Sequence, residues 1–203
     1  MLIIDHTNTI LAGAYVAIED RQIIADEVAE IQANMENAIP YNYALVGSIE
    51  HEYALFKCNK VLENLALNLA DEYIKNSPNL KIDYSNKKTK LEIGDCWVNF
   101  QKKYEYNPLH NHGGIFSFVI WIQIPYNLED EEKLFASKRV QTASKFGFYF
   151  PSPFGSVQSL LMPIDKTWEW RMVLFPADLH HIVYPFYTSD DYRISISGNL
   201  YLA

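Results

Sequence analysis

From Leu80 onward the chain is a series of short apolar runs, and this pattern limits the fold more than any other feature. The runs are rich in Val, Ile, Phe, Tyr and Trp, and Gly, Pro, Asn or Asp interrupts each after a few residues. Branched and aromatic residues between turn formers predict β-strands. Seven strands are predicted, at residues 91–101, 115–124, 145–150, 157–162, 168–175, 181–185 and 192–201. No long helical pattern separates them, so they predict an antiparallel sandwich or jelly roll.

The first 78 residues have a different pattern. Ala, Glu, Asn and Leu dominate, and apolar residues recur at the three- and four-residue spacing of helices. One such helical stripe ends where Asn76, Ser77 and Pro78 arrive, because Pro disfavours the helical conformation before it. The sequence therefore predicts an α+β chain in one compact unit. Residues 1–78 form a helical portion that packs on a jelly roll of residues 79–203, and the charged segment 127–139 is a surface excursion between strands.

Charge and composition exclude several classes of function. The 203 residues are 49% hydrophobic, which is enough for one domain with a real core. Seventeen Lys and Arg against 25 Asp and Glu give a net charge of −8, so nucleic acid is not an expected partner. The longest apolar run, at 115–124, is about half of the ~20 residues that a membrane span needs, so no membrane association is expected.

The cysteines and the N-terminus indicate a cytoplasmic protein. Cys58 and Cys96 lie far apart and belong to no paired motif, so two reduced thiols account for them better than a disulfide framework or a zinc ribbon. Asp5 and His6 stand where a secretory signal has a basic and then an apolar region, so no such signal is predicted.

Four of the six histidines lie in two short segments, and this concentration indicates a metal site. In an extended segment, residues two apart point to the same side, so His110 and His112 can converge on one point. Iron and zinc accept imidazole ligands readily, and a third ligand from a distant strand leaves positions open for substrate and oxygen. His181 can supply that ligand.

The last predicted strand carries a polar face. Strict alternation puts four polar residues on one side of it, Arg193, Ser195, Ser197 and Asn199. An Arg flanked by hydroxyls suits a dicarboxylate, because the guanidinium meets a carboxylate in two parallel hydrogen bonds while a Ser adds a third. The strand therefore predicts an anion site.

Taken in order, these segments resemble the 2-oxoglutarate- and iron(II)-dependent oxygenases with a double-stranded β-helix, closest to their prolyl-hydroxylase-like branch. The resemblance covers roughly residues 96–202. It rests on His110-x-His112, an apolar strand with Ser117 and Trp121, Phe175-Pro176 before His181, and Arg193-x-Ser195 with Asn199. It implies Fe(II) as the metal, 2-oxoglutarate as the co-substrate, and hydroxylation of a C–H bond of a peptide, protein or small molecule.

Carried over by position, the resemblance implies His110, His112 and His181 as metal ligands, with His180 as the alternative to His181. It implies that Arg193 and Ser195 bind the far carboxylate of 2-oxoglutarate. Asn99, on a strand just ahead of the histidine pair, is a candidate for a hydrogen bond to the co-substrate. No catalytic residue beyond the metal centre is assigned. Some members of the branch are phage-encoded, which would place the protein in a host cytoplasm.

His112 departs from the family pattern, because most members have a carboxylate at that position. A third imidazole makes the site more positive and leaves two alternatives open. One is a cupin-like three-His metal dioxygenase without 2-oxoglutarate, which explains His112 but leaves the Arg193 face unexplained. The other is a non-catalytic jelly-roll binding module with structural histidines. Substrate identity and oligomeric state are not determined by the sequence.

Overall fold

The strands of the second half lie in two facing antiparallel sheets. The structure is a computed structural model that describes residues 2–3, 11–76, 90–152 and 154–203. Eleven strands lie in these ranges: β1 (Leu2–Ile3), β2 (Ala12–Tyr15), β3 (His51–Ala54), β4 (Leu91–Gln101), β5 (Asn107–His110), β6 (Phe116–Gln123), β7 (Phe146–Pro151), β8 (Val157–Met162), β9 (Arg171–Pro176), β10 (His180–Val183) and β11 (Arg193–Leu202).

The larger sheet has the order β1-β2-β9-β6-β11-β4-β3, and the smaller has the order β5-β10-β7-β8. All neighbouring strands pair antiparallel. Inward-facing apolar side chains of both sheets form one core cluster, which includes Val119, Trp121, Phe146 and Phe175. The predicted jelly roll is confirmed by this architecture.

Two long helices, α1 (Ile18–Ala33) and α2 (Asn59–Lys75), belong to a second core on the other face of the larger sheet. Helix α2 contacts β2, β4 and β9. Its buried stripe repeats at helical spacing: Leu62, Ala66, Leu69, Ala70 and Tyr73. None of the helices in the described ranges has both the length and the apolar character that crossing a bilayer requires.

A buried carboxylate joins the two helices. Glu27 of α1 accepts hydrogen bonds from the backbone N–H groups of Phe56 (2.7 Å), Lys57 (2.9 Å) and Cys58 (2.7 Å), just before α2 begins. Burial raises the pKa of Glu27, but the hydrogen bonds from Cys58, Phe56 and Lys57 outweigh burial and hold the pKa below 4.5. The start of α2 is therefore held by a charged group.

In the second half of the chain the predicted strands agree well with the observed ones, with one omission. β4 and β8 have the predicted bounds, and the other five predicted strands overlap β6, β7, β9, β10 and β11. β5 was not predicted. It has four residues, Pro108 among them, and it lies at a sheet edge, where Pro is tolerated.

The N-terminal portion contributes strands as well as the predicted helices. β2 and β3 lie within the first 78 residues, and both pair with strands of the second half, β2 with β9 and β3 with β4. The division of the chain at residue 78 remains a prediction, and its boundary falls in 77–89, outside the described residues.

The charged segment 127–139 contains a short helix, α3 (Leu128–Leu134), in which Glu129 and Asp130 are exposed. Glu131 is instead fully buried. Its carboxylate accepts hydrogen bonds from the backbone N–H groups of Tyr187 (2.9 Å) and Thr188 (2.7 Å) and from the Thr188 hydroxyl (2.6 Å). The helix thus fastens the chain that leads from β10 to β11.

Candidate metal centre

Three histidines meet between the two sheets. His110 ends β5, and His181 lies directly opposite it on β10. His112 follows β5 by two residues, and its backbone N–H donates to the Ala177 carbonyl (3.0 Å). The ring centroids are 4.2 Å apart for His110 and His181, 4.9 Å for His110 and His112, and 5.0 Å for His112 and His181. One ligand atom from each ring lies within 4.8 Å of the other two.

Backbone carbonyls fix which nitrogen two of these rings present. His110 Nδ1 lies 2.7 Å from the Pro108 carbonyl, and His181 Nδ1 lies 2.9 Å from the Leu179 carbonyl. A carbonyl only accepts, so each Nδ1 carries the proton and each Nε2 keeps a free lone pair. Metal-binding histidines are oriented in this way in proteins generally.

Burial keeps the three imidazoles neutral. Burial, with a smaller contribution from the neighbouring His110, lowers the pKa of His112 to about 4. Burial also lowers the pKa of His110 and holds that of His181 well below its ordinary value of 6.5. Three uncharged nitrogen donors in close proximity fit a borderline divalent metal such as Fe(II) without loss of a proton.

Aromatic side chains surround the histidines. Trp97 lies 5.8 Å from the His112 ring, and Phe146 stacks on His181 at 5.5 Å, measured between ring centroids. Phe175 contacts His181 at 4.9 Å in an edge arrangement. These rings limit access of water to the site.

The structure separates the two adjacent histidines of β10. His181 is 3% exposed and joins the cluster, whereas His180 is exposed. His180 is opposite Tyr149 of β7 in register. His181, and not the alternative His180, is therefore the residue brought together with His110 and His112.

Gly114 permits the turn that follows His112. Its φ is +99°, a conformation that residues with a side chain rarely adopt, and a Cβ there would lie 2.7 Å from the Leu200 carbonyl oxygen. Gly113 has more room, since a Cβ there would meet nothing closer than 3.9 Å.

Arg193 lines the same pocket and is 2% exposed. Its Nε and Nη2 donate to Gln101 Oε1 (3.0 and 2.6 Å). Nη1 donates to the Tyr126 hydroxyl (3.0 Å) and to the Ser144 carbonyl (2.9 Å). Nη2 also donates to the Tyr184 carbonyl (2.8 Å). All of these acceptors are uncharged, and no described carboxylate forms an ion pair with it. A buried, uncompensated cation attracts an anionic ligand.

The polar face predicted for the last strand lines the pocket in part. Ser195 and Ser197 lie in the pocket wall, and Asn99 of β4 reaches them from the neighbouring strand. Asn99 Nδ2 donates to Ser195 Oγ (3.3 Å). Asn199 is buried instead against Ser117, whose hydroxyl donates to Asn199 Oδ1 (2.7 Å).

Sequence reasoning missed the residues that hold Arg193 and the loop that forms one pocket wall. Gln101, Tyr126 and Ser144 contact Arg193 across large separations in sequence, and no local pattern marks them. The wall comes from the N-terminal half, from Ala44, Leu45, Val46 and Ile49. The aromatic residues Trp97, Phe118 and Trp121 also line the pocket.

Comparison with protein families gives one match. The family model described as "Putative 2OG-Fe(II) oxygenase" matches residues 95–199, just over half of the 203 residues. The match includes the three histidines and Arg193. No curated protein sequence matches the chain.

Solved structures share the fold at low sequence identity. A prolyl-4-hydroxylase from Pseudomonas putida superposes with a TM-score of 0.54 at 12% identity, covering 93% of this chain and 90% of that one. A Trichoplax adhaerens prolyl hydroxylase, in complex with a hypoxia inducible factor peptide fragment, gives 0.55 at 12% identity over 95% and 82%. A viral collagen prolyl hydroxylase from Paramecium bursaria Chlorella virus 1, in complex with 2-oxoglutarate, gives 0.54 at 8% identity over 97% and 98%.

Proposed function

Because the chain belongs to the 2OG-Fe(II) oxygenase family, we propose that His110, His112 and His181 bind its iron(II), that 2-oxoglutarate binds beside them toward Arg193, and that the enzyme hydroxylates a C–H bond. The observation that carries this proposal is the convergence of three neutral imidazoles in one pocket with a buried guanidinium that forms no ion pair with any described residue. When bound, iron with 2-oxoglutarate supplies oxidation of the substrate by molecular oxygen, coupled to decarboxylation of the co-substrate.

The histidines contribute fixed and uncharged ligand atoms. The carbonyls of Pro108 and Leu179 keep the protons on Nδ1 of His110 and His181, so neither ring must lose a proton or turn before the metal binds. The three sp² nitrogens come from one side of the pocket, since β5 and β10 are neighbours in the smaller sheet. This arrangement supports a site with coordination positions left open.

Arg193 provides the charge that orients the co-substrate. The far carboxylate of 2-oxoglutarate compensates the guanidinium, and Ser195 Oγ can donate to that carboxylate. Direct contact with Arg193 requires one present acceptor to be exchanged. Tyr126 is suited to this, because its hydroxyl can donate to a carboxylate once it no longer accepts from Nη1.

The size of the pocket limits where the substrate can bind. The cavity has a volume of about 90 Å³, which is less than the roughly 150 Å³ of an engineered cavity that holds benzene. It leaves little room for a second ligand beside the metal and the co-substrate. The substrate therefore offers its reacting carbon from the mouth of the pocket, as part of a peptide, a protein or a small molecule.

Family membership favours this function over a cupin-like dioxygenase without 2-oxoglutarate and over a non-catalytic binding module, although the three-His set is shared with the first. As part of the same proposal the enzyme is cytoplasmic, since both Cys58 and Cys96 are free and buried. Its net charge of −8 supports a partner other than nucleic acid.

The proposed function is tested by anaerobic titration of the iron(II)-loaded protein with 2-oxoglutarate. Bidentate binding to iron should give a weak visible charge-transfer band that saturates with the co-substrate. Iron binding without any such band would contradict the co-substrate site. A failure of the wild-type protein to bind iron would contradict the metal centre.

A further inference from the structure

Of the buried side-chain oxygen atoms that lack a hydrogen-bond partner among the described residues, two lie on the neighbouring strands β3 and β4. They are Oε1 of Glu52 and Oδ1 of Asn99. Both side chains are nearly inaccessible, with Glu52 3% and Asn99 5% exposed. A buried acceptor without a donor is costly, and two of them on neighbouring strands call for a common explanation.

The register of the larger sheet puts these two side chains next to each other. Glu52 of β3 is directly opposite Asn99 of β4, and such residues share a face with Cβ atoms about 4.5–5.5 Å apart. The Asn99 amide is oriented by β11 on its other side, where Nδ2 donates to the Ser195 carbonyl (3.2 Å) and lies within 3.5 Å of Ser197 Oγ. With Nδ2 bonded to β11, Oδ1 is the atom of the Asn99 amide that is left to bond with Glu52 of β3.

The surroundings of Glu52 favour the protonated form of its side chain over the ionised form. Its Oε2 accepts one hydrogen bond, from Asn42 Nδ2 (3.2 Å), and no described cation forms an ion pair with it. The charged group that acts on it from β4 and the following turn is Glu105. Burial, together with the charge of Glu105, raises the pKa of Glu52 to about 8, against the lowering effect of the hydrogen bond from Asn42.

The other charged groups nearby are engaged elsewhere. Lys102 Nζ is bonded to Glu50 and His51. The register puts His51 opposite Phe100, on the face of β3 away from Asn99. None of these groups can compensate a negative charge on Glu52.

We propose that the Glu52 carboxyl keeps its proton in the folded protein and donates it to Asn99 Oδ1, so that Glu52 positions the Asn99 amide with Nδ2 toward Ser195. One proton then satisfies both unpartnered oxygens. The result is a continuous series of hydrogen bonds from Asn42, in the segment that forms the pocket wall, through Glu52 and Asn99 to Ser195 on the co-substrate side. Glu52 acts only through Asn99 and is a positioning residue.

Loss of the proton should change the pocket. A Glu52 carboxylate would leave two acceptors facing each other, which favours rotation of the Asn99 amide and exchange of its oxygen and nitrogen. Asn99 Oδ1 would then accept from the Ser195 hydroxyl, although it would also lie against the Ser195 carbonyl, which Nδ2 now bonds. The hydroxyl proposed to bind 2-oxoglutarate would be diverted from the co-substrate.

The first test uses metal-free wild-type protein with carbon-13 in its glutamate carboxyls, and therefore does not depend on the proposed function. We expect one glutamate carboxyl signal to titrate with a midpoint near pH 8, and we expect that signal to be absent in Glu52→Gln. Titration of every glutamate below about pH 6 in the wild type would overturn the inference, whether or not the variant folds.

The second test measures 2-oxoglutarate affinity of the iron(II)-loaded protein from about pH 6 to pH 9.5. A Gln at position 52 donates permanently to Asn99, so Glu52→Gln should bind equally well throughout, while the wild type should weaken about fivefold as Glu52 ionises. Glu50→Gln, an exposed neighbour, should follow the wild type. Parallel pH profiles in wild type and Glu52→Gln would overturn the positioning role, even where 2-oxoglutarate binding itself is intact.

Discussion

His110 and His181 face each other across two neighbouring antiparallel strands, with their ring centroids 4.2 Å apart and each Nδ1 bonded to the carbonyl two residues before it. This repeated local geometry means that both rings are oriented by their own strands. The third histidine, His112, depends instead on the turn that follows β5.

Removal of either strand histidine should abolish iron binding. Replacement of groups that only support metal ligands typically lowers metal affinity about 10- to 100-fold. His110→Ala and His181→Ala each remove a ligand itself, so each should lower the affinity for iron by more than about 100-fold. Iron affinity can be measured by competition with a chromogenic chelator. His180→Ala is the matched control, because His180 is exposed beside His181, and it should bind iron as the wild type does. Equal affinity in all three variants would contradict the site.

Arg193 should determine affinity for 2-oxoglutarate and not for iron. A hydrogen bond to a charged group contributes about 1.5–3 kcal/mol, so Arg193→Lys, which keeps the charge but loses the planar fork, should weaken 2-oxoglutarate binding by about 10- to 100-fold. Titration of the charge-transfer band gives the dissociation constant for 2-oxoglutarate directly. Arg171→Lys, whose guanidinium packs on Tyr15 and Trp168 and is not among the residues that line the pocket, should leave the affinity for 2-oxoglutarate unchanged.

Glu27 should make folding stability depend on pH. Its pKa is lower in the folded protein than the ordinary 4.5, so its contribution is present above pH 4.5 and is lost as the pH falls through the folded value. Glu27→Gln should therefore lower the free energy of unfolding by about 2 kcal/mol at neutral pH. Urea unfolding should show the difference between variant and wild type shrinking in acid. Glu30→Gln, which removes only an exposed ion pair with Lys57, should lower the free energy of unfolding by less than about 1 kcal/mol.

The glycine pair after His112 should tolerate substitution unequally. Gly114→Ala introduces a Cβ 2.7 Å from the Leu200 carbonyl at positive φ, and strain with overpacking should lower the free energy of unfolding by roughly 2–4 kcal/mol. Gly113→Ala should have less than half this effect, since its Cβ has room. Thermal unfolding of the two variants checks the difference, and equal losses would contradict the assigned role of Gly114.

Much of the jelly roll could be predicted because its strands are runs of branched and aromatic residues between turn formers. The alternation in β11 placed Arg193, Ser195 and Ser197 on one face, and the structure agrees. β5 has four residues, one of them Pro108, which is too short for a period to show. β2 and β3 are equally short and lie within a helical composition, so pairing with β9 and β4 decides their conformation.

The site was predictable where a local pattern or the family resemblance marks its residues. His110 and His112 share one extended segment, and spacing alone suggested their convergence. The partners of Arg193 are Gln101, Tyr126 and Ser144, and these come together through tertiary packing. Glu52 gave no signal either, since its environment is created by its register with Asn99.

The location of β5 at the edge of the smaller sheet has a consequence for exchange of the metal. An edge strand is hydrogen-bonded on one side only, and such strands open locally at lower free energy than the rest of a fold. Two of the three histidines are on this strand or just beyond it. A bound metal would fasten the edge to β10, so local opening of β5 and release of the metal become one process. Hydrogen exchange at β5 amides should then slow on metal loading, and its residual rate should set the upper limit for metal loss.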